Sequence, residues 1–424
     1  MDVNFKFYLK TLDGTVLSCY NPIEMIGNIK YVYADNAATT KLRPEARDEY
    51  LNTAEEFYGN PSSLHSVGQR AKEVLENCRA QIAQHLGCEK KEIYFTSGGS
   101  EADNQAIMSA AHAGARKGKR KIVTTNIEHH AVLHPIERLA REGFEVVYLP
   151  AASNGIVSVE DAKKAIDENT CLVSVMLANN EIGTIQPVEE IGALCRERKV
   201  PFHTDAVQAV GHLPVNVNAL NADYLSLSAH KFGGPKGVGV LYARTGAPLS
   251  PIIEGGAQER NKRAGTEDLP AIAAMTAALN AALSSREEEQ KRILSMRERL
   301  IDGLLKIPHS ALNGDRERRL AGNVSLCFEA CEGEALLLYL DDMGVSASSG
   351  SACTSGSLDP SHVLLAIGRK HEVAHGSLRL TLNENNTEED VDYLLKAVPE
   401  AVNKVRAISS VWRDLQTGKR QYIL

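Results

Sequence analysis

The sequence predicts an α/β protein whose main sheet is mostly parallel. Between residues 93 and 245, short apolar runs alternate with amphipathic stretches in which apolar residues recur at helical spacing. This alternation is typical of repeated strand–helix–strand units, which place a parallel sheet between two layers of helices. The 424 residues, of which 43% are hydrophobic and 24% charged, are enough for two domains with complete cores.

The predicted strands of this sheet are short and apolar. They cover residues 93–95, 121–124, 144–148, 171–177, 200–203 and 223–227. Helical spacing is clear at Val132–Leu139 and at Val188–Leu194. In sheets of this kind, ligands bind beyond the carboxyl ends of the strands. The residues that directly follow each strand are therefore where we expect chemistry.

A change of pattern after Asp268 predicts a second, smaller α+β unit. Its predicted elements are a long helical stretch from Pro270 to about Lys306, strands near 324–328 and 377–382, and helices at 333–343 and from 387 to about 408. Strands that alternate with helices in this way are typical of a small α+β domain.

We therefore expect a large domain over residues 41–287 and a small domain formed by residues 1–40 and 288–424. Alternating residues around Asp13-Gly14 predict an extra hairpin within about residues 1–30. This hairpin is either an edge hairpin of the small domain or an appendage that binds a partner.

Composition argues against several classes of partner. A net charge of −7 gives no electrostatic reason to expect nucleic acid. No apolar run approaches the roughly 18 residues of a membrane helix, and the N-terminus lacks the pattern of a signal peptide, so we expect no membrane and a cytoplasmic location. The eight cysteines are scattered, which is typical of reduced thiols. Cys327 and Cys331 lack a second pair at metal spacing, so no metal site is expected.

Polar clusters follow several predicted strands. Gly99 and Ser100 stand where a strand turns into a helix, and the free N–H groups of such a turn favour an anion such as phosphate, although many helices begin this way without a ligand. His129 stands at another such junction, where it would stack on a bound ring or simply cap the helix. Asn180 follows the next strand along the chain.

Two charged residues also follow apolar strands. Asp205 would be costly to bury without a cation, which either a protonated pyridine nitrogen or an arginine would supply. Lys231 precedes the tight turn Phe232–Pro235, and it is either a solvated surface charge or a buried amine that forms an imine with an aldehyde. Pyridoxal phosphate would use both residues, because it carries an aldehyde and a pyridine nitrogen.

Cys353 lies in a run of serines and glycines, Ser348–Ser357, that offers little to pack against a core. A lone thiol in such a segment is typical of a carrier. We therefore expect a mobile loop over about residues 346–358 that brings Cys353 to a group made at Lys231.

Longer motifs resemble the cysteine desulfurases of the NifS/IscS type. They run from about residue 32 to 408 and comprise Tyr33–Thr40, Gly59–His65, the His129 and Asn180 motifs, Asp205–Gln208, Ser228–Lys231, Arg263–Thr266 and Ser349–Gly356. The resemblance implies the fold of type I pyridoxal-phosphate enzymes, with a mostly parallel seven-stranded sheet between helices and a small α+β domain. It also implies a homodimer with two active sites near the interface.

The resemblance further implies how the ring of pyridoxal phosphate is held. Lys231 matches the lysine that binds the aldehyde, Asp205 pairs with the pyridine nitrogen and Gln208 reaches the ring hydroxyl. His129 stacks on the ring as a catalytic residue beside Lys231. Asn180 lies next to the ring and the substrate.

Phosphate and substrate contacts are implied in the same way. Residues that match the phosphate cradle are Gly99, Ser100, Ser228 and His230, with Thr266 reaching the phosphate of the neighbouring subunit. Arg379 matches the arginine that grips the substrate carboxylate, a task suited to a bidentate guanidinium.

The implied reaction converts L-cysteine to L-alanine and leaves a persulfide on Cys353, which supplies a sulfur acceptor or an iron–sulfur scaffold protein. Cys353 is also a candidate transient ligand of an iron–sulfur cluster. A selenocysteine lyase or another β-eliminating lyase would use the same cofactor and need Cys353 less. A non-catalytic assembly scaffold is the alternative of another class, against which Lys231, Asp205 and Cys353 speak. Segments 1–30 and 412–424 depart from the family pattern.

Overall fold

A computed structural model of the chain describes residues 25–26, 29–350 and 360–424. Its strands are β1 Met25–Ile26, β2 Ile29–Lys30, β3 Val32–Tyr33, β4 Ile93–Thr96, β5 Lys121–Thr125, β6 Glu145–Leu149, β7 Thr170–Ser174, β8 Phe202–Asp205, β9 Tyr224–Ser228, β10 Gly239–Ala243, β11 Ser310–Leu312, β12 Asn323–Phe328, β13 Val345–Ser346 and β14 Ser377–Thr381. The hairpin predicted around Asp13-Gly14 and the residue Cys353 lie outside the described residues.

The helices alternate with these strands through most of the chain. They are α1 Pro44–Glu56, α2 Ser66–Leu86, α3 Gly99–Ala115, α4 His130–Arg141, α5 Val159–Ala165, α6 Val188–Arg198, α7 Gln258–Asn261, α8 Leu269–Ser284, α9 Arg286–Leu304, α10 Gly333–Asp342, α11 His362–Ala366, α12 His371–Ala374, α13 Glu388–Ile408 and α14 Ser410–Gln416. Within the described part of the chain, no helix is both long and apolar enough to cross a membrane.

The main sheet has seven strands in the order β4-β10-β9-β8-β7-β5-β6. Strand β10 runs antiparallel to both of its neighbours, whereas the remaining pairs are parallel. Strands β7 to β10 are buried along their whole length, because helices cover both faces of the sheet. The mostly parallel seven-stranded sheet is thus confirmed, although the pattern analysis missed β10.

The long helix predicted from Pro270 to about Lys306 is two helices that meet at Ser285. The hydroxyls of Ser284 and Ser285 both donate to the carbonyl oxygen of Ala281, at 2.9 and 3.2 Å, and so compete with the backbone hydrogen bonds that would continue the helix. Helix α8 packs into the core of the main sheet, whereas α9 packs into a second core. The prediction of one continuous helix was therefore wrong.

The second core surrounds the antiparallel sheet β11-β12-β14, with α9, α10 and α13 against it. Strand β3, from the start of the described chain, pairs in parallel with β13, so that Val32 lies beside Val345. Two residues after the end of β3, Asp35 forms a further bridge to Thr381 of β14. Residues 30–40 are thereby held against both β13 and the antiparallel sheet β11-β12-β14.

Candidate active site

Nearly all of the sequence-predicted site residues line one cavity of about 280 Å³ at the carboxyl ends of the parallel strands. The predicted residues that line it are Gly99, Ser100, His129, Asn180, Asp205, Gln208, Ser228, His230, Lys231 and Arg379. The cavity is also lined by residues for which the sequence patterns predicted no individual role, namely Ala37, Ala38, Asp103, Met176 and Val207. Thr266 is exposed and is not part of the described lining.

Lys231 ends a single 3₁₀ turn, Ala229–Lys231, that directly follows β9. The turn is closed by hydrogen bonds from the N–H groups of Phe232 and Gly234 to the carbonyl oxygen of Ala229. The amine Nζ of Lys231 donates to the carbonyl oxygens of Ala37 and Ala38, at 2.6 and 2.8 Å. The lysine is therefore aimed into the cavity and is not a solvated surface charge.

Asp205 ends β8 and is only 5% exposed. Its oxygen Oδ1 accepts a hydrogen bond of 2.9 Å from the N–H of Val207. Burial, together with the charge of Asp103, raises the pKa of the Asp205 carboxyl to about 7 despite that hydrogen bond. A buried acid in this state gains free energy from a nearby cation, which suits a protonated pyridine nitrogen.

Asp103 lies behind this position on α3 and is itself buried. Burial raises the pKa of its carboxyl to about 7. Its oxygen Oδ1 makes no hydrogen bond within the described chain, and the ring nitrogen Nε2 of His203 lies 3.4 Å away. Two buried carboxyls, those of Asp103 and Asp205, thus line the same cavity.

His129 is the N-cap of α4, and its ring also lines the cavity. The nitrogen Nδ1 accepts a hydrogen bond of 3.1 Å from the N–H of Ala131. Burial, with the charge of Lys231 as the next cause, lowers the pKa of His129 to about 4. The ring is therefore neutral at pH 7 with its proton on Nε2, so capping and ring stacking are compatible roles.

The turn before α3 brings backbone N–H groups to the cavity. Gly98 precedes the helix with a φ of 153°, a conformation that favours glycine. A Cβ on Gly99 would lie 2.6 Å from a methyl carbon of Val207, so a side chain there would clash. The first turn of a helix leaves N–H groups without intrahelical partners, and together with Ser228 and His230 they form a cradle suited to phosphate.

Arg379 reaches the cavity from β14 and is 1% exposed. Its Nη2 lies 2.9 Å from Oδ1 of Asp35, and its Nη1 donates to the carbonyl oxygen of Asn180 at 3.1 Å. The remaining nitrogen Nε has no hydrogen-bond partner among the described residues. The arginine is held in place and keeps a donor for an incoming carboxylate.

Pyridoxal phosphate fits this donor set. Lys231 would hold its aldehyde, Asp205 its pyridine nitrogen and the turn at Gly99 its phosphate, while the neutral ring of His129 would cover one face. Gln208, whose Nε2 donates to the carbonyl oxygen of Ala37 at 3.0 Å, would stand beside the ring hydroxyl.

The chain belongs to the class-V aminotransferase family, whose sequence profile matches residues 32–394. The cysteine desulfurase IscS of Clostridium botulinum (strain Kyoto / Type A2) is 51% identical over 395 residues, which cover 92% of this chain and 99% of that relative. The cysteine desulfurase IscS of Methanosarcina thermophila is 52% identical over 380 residues, or 90% and 94% of the two chains. A solved NifS-like protein has a TM-score of 0.83 and 38% identity, and the match covers 88% of this chain and 100% of that one. Within its family, the chain is a cysteine desulfurase that depends on pyridoxal phosphate.

Proposed function

We propose that the enzyme converts L-cysteine to L-alanine and carries the released sulfur as a persulfide on Cys353. The observation that supports this most is the placement of Lys231, Asp205 and His129 at the ends of three strands of one sheet, around one cavity that Arg379 enters from the other sheet. When bound, pyridoxal phosphate supplies an aldehyde and a ring that withdraws electrons from the substrate.

In this proposal, different residues bind the substrate, transfer the proton and hold the cofactor. Arg379 binds the substrate carboxylate through its guanidinium, with Asn180 beside it. Lys231 takes the proton from the α-carbon on its amine Nζ. The buried Asp205 would keep the pyridine nitrogen of the bound cofactor protonated, and the neutral ring of His129 would exclude water from one face of the cofactor ring.

Cys353 completes the reaction as a nucleophile. Its thiolate attacks the sulfur of the substrate cysteine, so that a sulfur–sulfur bond forms while the carbon–sulfur bond breaks. The electron pair of the broken bond stays with the carbon skeleton, which leaves as alanine after its β-carbon gains a proton and its α-carbon regains the proton held by Lys231. The persulfide sulfur then passes to an acceptor or iron–sulfur scaffold protein, and Cys353 remains a candidate transient cluster ligand.

The described cysteines support the choice of Cys353 as carrier. Burial raises the pKa of the thiols of Cys171, Cys327 and Cys331 to about 11. Such thiols are protonated at neutral pH and react slowly as nucleophiles. All six described cysteines are free, which also supports the reducing, cytoplasmic location that we propose.

A homodimer is part of the proposal. Thr266 is exposed and is not among the residues that line the cavity of its own chain, as expected of a residue that reaches the phosphate of a partner subunit. Leu51 on α1 is 54% exposed, and Tyr58 and Leu64 between α1 and α2 are 77% and 94% exposed, where a second copy would cover them.

The domain division that we propose assigns residues 41–287 to a large domain and residues 1–40 with 288–424 to a small one. The break at Ser285 supports this boundary, because the helices on its two sides pack into different cores.

The proposed function is tested by incubating the holoenzyme with L-cysteine, quantifying alanine and mapping the modified residue by mass spectrometry. We expect alanine together with a persulfide on Cys353. Cys353→Ser should abolish both, whereas the matched control Cys88→Ser, at a half-buried thiol, should leave them unchanged. Sulfur release by Cys353→Ser at the wild-type rate would contradict the proposal and favour a lyase that needs no persulfide.

A further inference from the structure

A short part of the chain has a backbone conformation that residues other than glycine rarely adopt. Glu259, Arg260 and Asn261, in α7, have φ angles of 45°, 56° and 61°. Such left-handed angles are costly for residues with a Cβ, and a run of three persists only where the surrounding contacts impose it. The reaction described above uses none of these residues, so their contacts indicate what the run holds in place.

The carboxylate of Glu259 is buried at the outer edge of the main sheet. Glu259 is only 4% exposed, and its two oxygens accept from the guanidinium of Arg79, at 2.6 and 2.7 Å. Oε2 also accepts from the backbone N–H of Phe95 at 2.8 Å. Phe95 belongs to β4, which comes first in the strand order and, within the described chain, has a neighbouring strand on one side only. The carboxylate therefore supplies a hydrogen bond that a further strand would otherwise supply.

Two arginines complete the hydrogen bonding of this edge. The carbonyl oxygen of Ile93 accepts from Nη1 of Arg79 at 2.8 Å and from Nη2 of Arg260 at 2.5 Å. The guanidinium of Arg260 also lies over the ring of Tyr94, 4.2 Å from its centroid. The left-handed run thus places the side chains of Glu259 and Arg260 together against β4.

The residues that follow the run contact α3, the helix that comes after β4 in the chain. Nε of Arg263 donates to Oε1 of Glu101 at 3.0 Å, and Oε2 of Glu101 accepts from the N–H of Ser97 at 2.8 Å. The buried amide of Gln105 donates to the carbonyl oxygen of Lys262 at 2.7 Å. Glu101 and Gln105 belong to α3, whereas Ser97 lies in the turn that joins β4 to it.

We propose that residues 258–263, the bracing segment, position the turn of residues 97–99 for the cofactor phosphate, with Glu259 and Arg263 as positioning residues. The bracing segment holds β4 directly before that turn and α3 directly after it. The N–H groups of the turn are therefore oriented before the phosphate arrives, and little ordering is needed when it binds. The inference rests on the proposed placement of the phosphate at this turn and does not depend on the transfer of sulfur to Cys353.

Charge at the start of α3 supports this role. A carboxylate and a phosphate are each favoured at the first turn of a helix, but together they repel each other. Burial raises the pKa of Glu101, but hydrogen bonds from Arg263 and Ser97 outweigh burial and lower the pKa below its usual value. Glu101 is therefore charged at pH 7, and Arg263 offsets that charge at the end of the helix where the phosphate would bind.

The test measures how tightly the apoprotein binds pyridoxal phosphate and pyridoxal, which lacks the phosphate. Arg263→Gln and Glu259→Gln each weaken one attachment of the bracing segment. The matched control is Arg244→Gln, because Arg244 pairs with Asp223 at 3.2 Å, has a side-chain exposure similar to that of Arg263 and is not among the residues that line the cavity. The visible absorption of the imine with Lys231 reports the binding of both aldehydes.

Arg263→Gln and Glu259→Gln should bind pyridoxal phosphate about 10-fold more weakly than wild type, the size expected from the loss of one charge-assisted hydrogen bond. Their affinity for pyridoxal should not change, because pyridoxal has no phosphate for the turn to hold. Arg244→Gln should bind both aldehydes as wild type does.

Three results would overturn the inference. The first is wild-type affinity for pyridoxal phosphate in both variants. The second is an equal loss of affinity for the two aldehydes, because a general loss of structure does not distinguish between them. The third is equal affinity of the wild-type apoprotein for both aldehydes, which would mean that the turn holds no phosphate.

Two features of the design keep these results distinct from other failures. If Glu259→Gln does not fold, Arg263→Gln decides the question alone, since the side chain of Arg263 is partly exposed. No step of the test uses L-cysteine. Absence of persulfide on Cys353 in the wild-type enzyme, which would refute the proposed function, is therefore a separate result.

Discussion

The two sides of the cavity are built in different ways. On the cofactor side, Lys231, Asp205 and His129 each stand within one turn of the end of a strand in a single sheet, so a few neighbouring residues place each of them. On the substrate side, Arg379 comes from another sheet and is held by Asp35 and Asn180, which are distant from it in sequence. The conformation of a few neighbouring residues is enough to position the side chains of the cofactor side. The side chains of the substrate side are positioned only when the two sheets pack together.

The largest expected effect comes from removing the central group of the cofactor side. Lys231→Ala should lower the rate of alanine formation by at least about 1,000-fold, because no other side chain replaces its amine as imine partner and base. Loss of the visible absorption of the lysine-bound cofactor should accompany it. Normal absorption and turnover in this variant would show that the cofactor side is not organised around Lys231.

A smaller effect is expected on the substrate side. Arg379→Lys should raise KM about 10- to 100-fold with a lesser change in kcat, because an ammonium keeps the charge but cannot hold the geometry of a guanidinium. Steady-state kinetics with L-cysteine measures both constants. Arg369→Lys is the control, since Arg369 donates to Asn313 and lies outside the cavity lining. An unchanged KM in Arg379→Lys would mean that charge alone recruits the substrate, and an equal rise of KM in the control would mean that the effect is not specific to Arg379.

The smallest effect concerns Asp103, behind the cofactor side. Its pKa is about 7 in the folded protein and 3.8 in the unfolded chain, so the stability it contributes is present at low pH and is lost as the pH rises through 7. Asp103→Asn removes this titration. Relative to wild type, the variant apoprotein should gain about 2 kcal/mol between pH 5 and pH 8.

Thermal unfolding of both apoproteins across this pH range measures the difference. Parallel pH profiles for wild type and variant would show that Asp103 does not titrate there. Glu128→Gln offers a comparison at a second buried acid, for which burial raises the pKa to about 8 and the loss of stability occurs at higher pH.

Sequence patterns predicted the cofactor side well because each of its residues is placed by the strand and turn that carry it. Asp205 and Lys231 follow apolar strands in the printed sequence, just as they do in space. The motif Tyr33–Thr40 is visible in the sequence, but the contact of Asp35 with Arg379 depends on two sheets packing together and is not.

The other misses have physical causes of the same kind. Asp103 lies inside a helix, and a helical pattern does not reveal that this face lies against the strand that ends at Asp205. Strand β10 follows a glycine-rich turn and inserts between strands that precede it in sequence. The break at Ser285 arises because two serine hydroxyls compete for one carbonyl group. The spacing of apolar residues, from which the helix was predicted, carries no information about these hydrogen bonds.

The pairing of Val32 with Val345 has a consequence for synthesis on the ribosome. All strands of the seven-stranded sheet have emerged once Ala243 is out, whereas residues 30–40 must wait for β13. At about 5 to 20 residues per second, the roughly 300 positions between the two partners take about 15 to 60 s to make. Throughout that interval β3 has no partner strand, so its pairing with β13 is completed late in synthesis, after the strands of the large sheet have been made.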